Sequence, residues 1–191
     1  MSKKEETRKR IMSVALQLFS KEGYVKATTK QIAEESGVNE ITLFRHFGNK
    51  ENLFHETLEY YVEEMHLESE IGRLISQDFE KSMCEIAADY LEFCKRNKNF
   101  YQIQMRLPDD MKKFVKLKLS RGVKKELLKY FQKLESQNMI KGDPEIMAVT
   151  FIESILGAYT IYLLSNDTFS AIPIEELAQE HARQFVNYYR V

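Results

Sequence analysis

The chain has little of what a sheet protein of its size would need. Its 191 residues include seven glycines and three prolines, against average usage of about 7% and 5%. Tight turns depend on those residues, so the shortage predicts long helices with few connections. There is no tryptophan, and there are two cysteines. Cys84 and Cys94 fall ten residues apart in one helical pattern, roughly 15 Å along a straight helix, too far for a disulfide. No paired-cysteine or histidine-rich spacing suggests a structural metal. The longest apolar stretch, Ile146–Leu164, is interrupted by Glu153, and the part after it is shorter than the ~20 residues of a membrane span. The opening MSKKEETRKR mixes acids with bases and leads into no apolar signal-type segment. These absences predict a reduced, cytoplasmic protein with no membrane partner, no cofactor and no metal.

What is present is a globular balance of 43% hydrophobic and 30% charged residues, with a net charge of -1. That net charge hides an asymmetry. Residues 1–50 carry a balance of +4 and the remainder -5, so a basic front end precedes an acidic body and suits a polyanionic partner.

Local signals divide the front end into three helices. Ser2 and Glu5 have capping-box spacing, an apolar stripe runs through Ile11, Ala15, Leu18 and Phe19, and Gly23 stops the helix. Thr28 and Gln31 form a second capping box, with Gly37 as the stop. Asn39 caps a third helix that ends near Gly48 and buries Leu43 and Phe47. Two short helices joined through Ser36-Gly37-Val38 have the form of a helix-turn-helix, although a plain helical hairpin gives the same pattern. Beyond it the sequence predicts a long helix over Asn49–Leu74, another over Phe79–Lys95 broken at Asn97-Lys98-Asn99, and one running from Pro108 to Asn138. Asp143-Pro144 begins a further helix, and Pro173 introduces the last. The expected fold is all-α with eight or nine helices: an N-terminal helix-turn-helix domain over 1–48 and a helical domain over 49–191.

With Leu43 and Phe47 buried, the third helix exposes Glu40, Ile41, Thr42, Arg45 and His46, with Phe44 at the flank. Such a face offers an arginine for guanine, an aliphatic group for the thymine methyl, and polar donors for phosphates. Lys30 and Lys50 flank it. Glu59, Glu63, His66 and Glu70 share another helix face; a solvated acidic surface accounts for them better than a metal site. No nucleophile–base pair points to a catalytic residue.

The stretch TTKQIAEESGVNEITLFRHFGNKENLF, preceded by ALQLFSKEGY, resembles the DNA-binding signature of the tetracycline-repressor (TetR) family. The resemblance implies a homodimeric, ligand-responsive regulator, a repressor on a palindromic operator in double-stranded DNA. By position it places Thr28, Thr29 and Lys30 on the DNA backbone or edge, and Glu40, Ile41, Thr42 and Arg45 in the major groove. His46 and Lys50 would hold phosphates. Phe44 stands where the family usually has tyrosine and lacks the hydroxyl to donate. The family's C-terminal domain implies a pocket for a small hydrophobic effector, for which Phe93, Met105, Phe114, Phe131, Phe151, Glu153 and Tyr159 are candidates. It also implies a dimer through the last two helices, where Ser154, Gly157 and Ala158, then Leu177, His181, Phe185 and Tyr189, could meet a second copy. An inducer would then alter the spacing of two reading heads. The alternative is a helical DNA-associated or protein-interaction factor without an inducer. Nine Lys/Arg against one acid over 112–133 read best as a solvated face, with a patch for an anionic ligand group or a second nucleic-acid contact as the alternatives.

Overall fold

The computed structural model describes residues 2–64, 67–76, 78–107, 118–166 and 168–191, with side chains for all of these except 62–64, 67–70 and 118–121. Ten helices lie among them: α1 (Lys3–Glu22), α2 (Thr29–Glu35), α3 (Glu40–Phe47), α4 (Lys50–Glu64), α5 (Leu67–Leu74), α6 (Phe79–Arg96), α7 (Lys98–Arg106), α8 (Lys118–Ser136), α9 (Pro144–Leu164) and α10 (Ile174–Tyr189). The described residues contain no strand; Ile140 and Arg190 make a single isolated bridge. The all-α expectation holds. Ten are counted against the expected eight or nine because α7 follows α6 almost directly, Asn97-Lys98-Asn99 being a bend into a new helix, and because α4 and α5 are described on either side of two residues within the one helix expected over Asn49–Leu74. Of the expected Asn49–Leu74 helix, α4 and α5 are described, and the two residues between them lie outside the described set. So do residues 108–117, which include the candidate Phe114, and His66, while the side chains of Glu63 and Glu70 are likewise outside it.

The chain divides into two compact units, Met1–Met65 with Asn97–Lys116, and His66–Arg96 with Leu117–Val191. In the first, α1 packs against α2, α4 and α7, and α3 packs against α2 and α4. Its helix ends follow the caps in the sequence. Ser2 accepts from the Glu5 N–H, Thr28 and Gln31 close a full capping box, and Asn39 accepts from the Thr42 N–H. Each such cap stabilises its helix by about 1 kcal/mol. Gly37, at the turn between α2 and α3, has φ +65° with no atom within 4 Å of an added Cβ. Glycine is therefore needed there for backbone conformation, not for space. The core joins Ile11, Ala15, Phe19, Ile32, Leu43, Phe47, Leu53 and Phe54, all buried. Phe54 meets Phe19 edge-on at 5.2 Å and Tyr24 at 4.9 Å, contacts worth about 0.5–1.5 kcal/mol each beyond their burial. Arg106, at the end of α7, donates to the carbonyls of Ser20 (2.7 Å) and Lys21, satisfying orphan acceptors at the end of α1.

In the second unit α6 packs on α9 and α10, and α8 packs on α5 and α9. Phe131 is fully buried, with Phe79 edge-on at 6.3 Å and Phe185 at 5.7 Å, and Phe151 meets Phe185 at 5.1 Å. α9 is capped by Asp143, which accepts from the N–H groups of Glu145 and Ile146, and has proline at its first position. It is long and apolar enough to cross a membrane by composition, but Met147, Ala148, Phe151, Ile152, Ile155, Tyr159 and Tyr162 are buried within the unit. Neither Cys84 nor Cys94 forms a disulfide among the described residues.

Candidate nucleic-acid interface

The first unit presents its chemistry on α2, α3 and the start of α4. Leu43 and Phe47 anchor α3 inward. The opposite face is left open: Ile41 is 72% exposed and Phe44 41%, Arg45 is exposed, and Thr42 and His46 are half-buried. Arg45 has no ion pair among the described residues. An eight-residue helix with this surface has the size and chemistry to enter a major groove.

Several of the expected contact residues also hold the head together. The Thr29 hydroxyl donates to Glu40 Oε1 at 2.6 Å, tying the first residue of α2 to the first of α3. Glu40 therefore has one carboxylate oxygen engaged in fixing the angle between the two helices, which leaves the other for a cytosine amino group. Thr28 is occupied as the cap of α2: its hydroxyl accepts from the Gln31 N–H at 3.1 Å. The Thr42 hydroxyl donates to Asn39 Oδ1 at 2.8 Å. Lys30 is exposed.

Lys50 reaches back to the α1–α2 loop. Its Nζ donates to the Val25 carbonyl at 3.3 Å and sits 4.6 Å from the centre of the Tyr24 ring. Burial pushes its pKa down from the ordinary lysine value. Two of its three N–H donors remain for a phosphate. Lys50→Ala is expected to weaken operator and random DNA alike and to lower the salt slope of binding by about one. Fluorescence anisotropy at several salt concentrations checks this, and an unchanged slope would remove Lys50 from the backbone contacts.

His46 lies where α1, α3 and α4 converge. Arg8 donates to its backbone carbonyl at 3.3 Å, pairs with Glu56 and covers the Phe47 ring at 4.7 Å. Burial foremost, then the charges of Lys4, Arg8 and Arg45, hold the His46 pKa below its ordinary 6.5.

The residues expected in the second domain are distributed differently. Phe93, Phe131, Phe151 and Tyr159 are buried in the second unit, while Met105 belongs to the first unit and is 39% exposed. Glu153 is exposed on α9. A cavity of about 360 Å³ in the second unit is lined by Lys95, Tyr162 and the 170–175 segment, residues that no local sequence signal groups together. Lys95 pairs with Glu175 there, and that contact holds the Glu175 carboxyl below its usual range. Ser154, Ala158, Leu177, His181, Phe185 and Tyr189 are half-buried, and Gly157 is exposed. Phe185 packs inside its own unit against Phe131 and Phe151. In the basic stretch, Lys124 pairs with Glu145 (2.6 Å) and Lys129 with Glu126 (2.7 Å), as on a solvated face.

A three-helix head with two capped short helices, a glycine turn and an open second helix is a helix-turn-helix DNA-binding unit. Residues 11–57 match the sequence model of the bacterial regulatory proteins, tetR family. Over 94% of its length the chain is 28% identical to YvkB, an HTH-type transcriptional regulator of Bacillus subtilis, covering 95% of that protein. A tetR-family transcriptional regulator from Mesorhizobium loti has the same fold, with a TM-score of 0.77 over 100% of both chains at 19% identity. NalD of Pseudomonas aeruginosa, the secondary repressor of the MexAB-OprM multidrug efflux pump, gives 0.73 over 97% of this chain and 96% of its own, also at 19%. Residues 11–57 are a tetR-family DNA-binding region, and the chain is a DNA-binding transcriptional regulator rather than an enzyme.

Proposed function

We propose that the chain acts in the cytoplasm as a homodimeric repressor, its two heads reading a palindromic operator that a small hydrophobic effector releases. Reading is assigned to residues 1–48, and dimerisation and effector binding to 49–191. The observation that carries the dimer is a continuous face of α9. Ile146, Thr150, Glu153, Gly157, Ile161 and Leu164 follow one another at helical spacing and are all exposed, Ile146 by 61% and Leu164 by 67%. An added Cβ at Gly157 would meet nothing within 4 Å, so the close approach that glycine permits is available to another helix. A second copy of α9 across a two-fold axis suits such a self-complementary strip. Half-sites one DNA turn apart, about 34–36 Å, or a multiple of it, then match the dimer. The repressor reading is supported by NalD, which is one.

The effector is assigned to the second unit, whose aromatic interior holds Phe93, Phe131, Phe151 and Tyr159 and whose cavity of about 360 Å³, lined instead by Lys95, Tyr162 and residues 170–175, has the volume of a small-molecule site. Effector and operator must then oppose each other reciprocally. An effector that weakens operator binding a hundredfold, about 2.7 kcal/mol of coupling, is itself bound a hundredfold more weakly by the operator complex. A thermal-shift screen of hydrophobic compounds supplies the effector, and calorimetry on free and operator-bound protein supplies both affinities. Equal affinities would contradict induction by that compound. The rival, a DNA-associated factor without an inducer, would leave both affinities unchanged by every compound.

A further inference from the structure

The cavity in the second unit carries a charged pair on its wall. Lys95 comes from the last turn of α6 and Glu175 from the first turn of α10, and their side chains pair there. The two partners are not equally placed. The Lys95 side chain is 33% exposed and that of Glu175 62%, so the ammonium is the deeper member and the carboxylate stands mostly in water. The hydrogen bond from Lys95, foremost, holds the Glu175 carboxyl below its usual range; the position beside Lys95 favours a carboxylate. The rest of the wall offers apolar surface from the Tyr162 ring, Ala171, Pro173 and Ile174. Its backbone is braced. The Tyr162 hydroxyl donates to the Ile172 carbonyl, and the Ser170 hydroxyl accepts from the Ile172 N–H at 3.1 Å. Such a cavity is formed before a ligand arrives.

We propose that this cavity binds a compact monocarboxylate, a short-chain or aromatic acid, whose carboxylate takes the place of Glu175 on Lys95 and whose tail lies on the apolar wall. Glu175 is the internal stand-in for that ligand. An ion pair this exposed contributes little to stability, so Glu175 moves into water at small cost. The incoming acid brings apolar surface to bury, which the glutamate carboxylate does not. A cationic ligand would instead have to displace Lys95, the deeper partner. The volume of about 360 Å³ lies near the lower end of the roughly 300–1,000 Å³ of ligand sites, which suits a compact acid better than a long acyl chain. The exchange also removes one tie between α6 and α10, which pack together. Any consequence for operator binding rests on the effector role proposed above; the binding site itself does not.

The test is calorimetry of the full chain with hexanoate and benzoate, with hexanamide and hexylamine as the neutral and cationic controls. One of the acids is expected to bind at least about tenfold more tightly than hexanamide, the factor that a hydrogen bond to a charged group supplies. Lys95→Met is expected to lose that factor. Glu175→Gln is expected to bind the acid severalfold more tightly, because the internal competitor is gone. Opposite responses from the two halves of one ion pair are what a merely structural pair would not give. Melting curves identify folded variants; if Lys95→Met does not fold, Glu175→Gln decides. The proposal would be overturned if neither acid bound, if acid affinity were unchanged in Lys95→Met, or if it failed to rise in Glu175→Gln. Tighter binding of hexylamine than of hexanoate would also overturn it. An acid that binds as described but leaves operator affinity unchanged would contradict the effector role and not the site.

Discussion

Gly157→Arg is expected to yield monomers and to cut affinity for a full palindromic operator at least about a hundredfold. The reasoning separates the subunit from the dimer. Within one subunit nothing stands within 4 Å of a side chain added at Gly157, and replacing a mid-helix glycine gains up to about 1 kcal/mol of helix propensity. The variant subunit therefore folds. Against a second α9, the arginine would fill the closest approach of the two helices and lose its water, at a cost of several kcal/mol that pairing with Glu153 one turn away does not recover. Two joined heads gain about 10²–10⁴ in affinity from effective concentration, and that gain disappears with the dimer. Light scattering gives the mass, and anisotropy compares a full operator with a half-site. The half-site affinity is expected to hold. A normal dimer with full operator affinity would move the interface off this face.

Arg45→Ala is expected to cost about 1–3 kcal/mol of operator affinity and to relax base preference at one position in each half-site. Arg45 is exposed on the open face of α3 and has no ion pair among the described residues, so its fork of donors is available for guanine O6 and N7. Competition among operators varied one base pair at a time resolves the position. A uniform loss across all variants, with a shallower salt slope, would instead make Arg45 a phosphate contact.

Legibility in the sequence followed the range of the interactions. The limits of α1, α2 and α3 were readable because each is set within a few residues, by Ser2, by Thr28 with Gln31, by Asn39, and by glycines that accept positive φ at 23, 37 and 48. The outward face of α3 followed from the burial of two residues one turn apart. α7 was missed because its start carries no signal: Asn97 makes no side-chain cap hydrogen bond, and two asparagines so close read as a break. Contacts between distant positions had no local signature. Thr29 with Glu40 spans eleven residues, Lys50 with Val25 twenty-five, and Arg8 with Glu56 forty-eight. These change what the residues do, since three expected DNA contacts, Thr29, Glu40 and Lys50, also brace the head. Phe185 shows the same limit in the second unit. Its helical stripe suggested a partner chain, and its ring is packed against Phe131 and Phe151 of its own.

The central claim is that two copies of the α3 face read one symmetric DNA sequence. Selection of bound duplexes from a random pool by the full chain tests it most directly. The account predicts enrichment of a two-fold symmetric motif with half-sites about 10–10.5 base pairs apart, or a multiple of that. It also predicts a preference of at least ~10³ over random DNA. A pool that binds but enriches no motif after repeated rounds would contradict it.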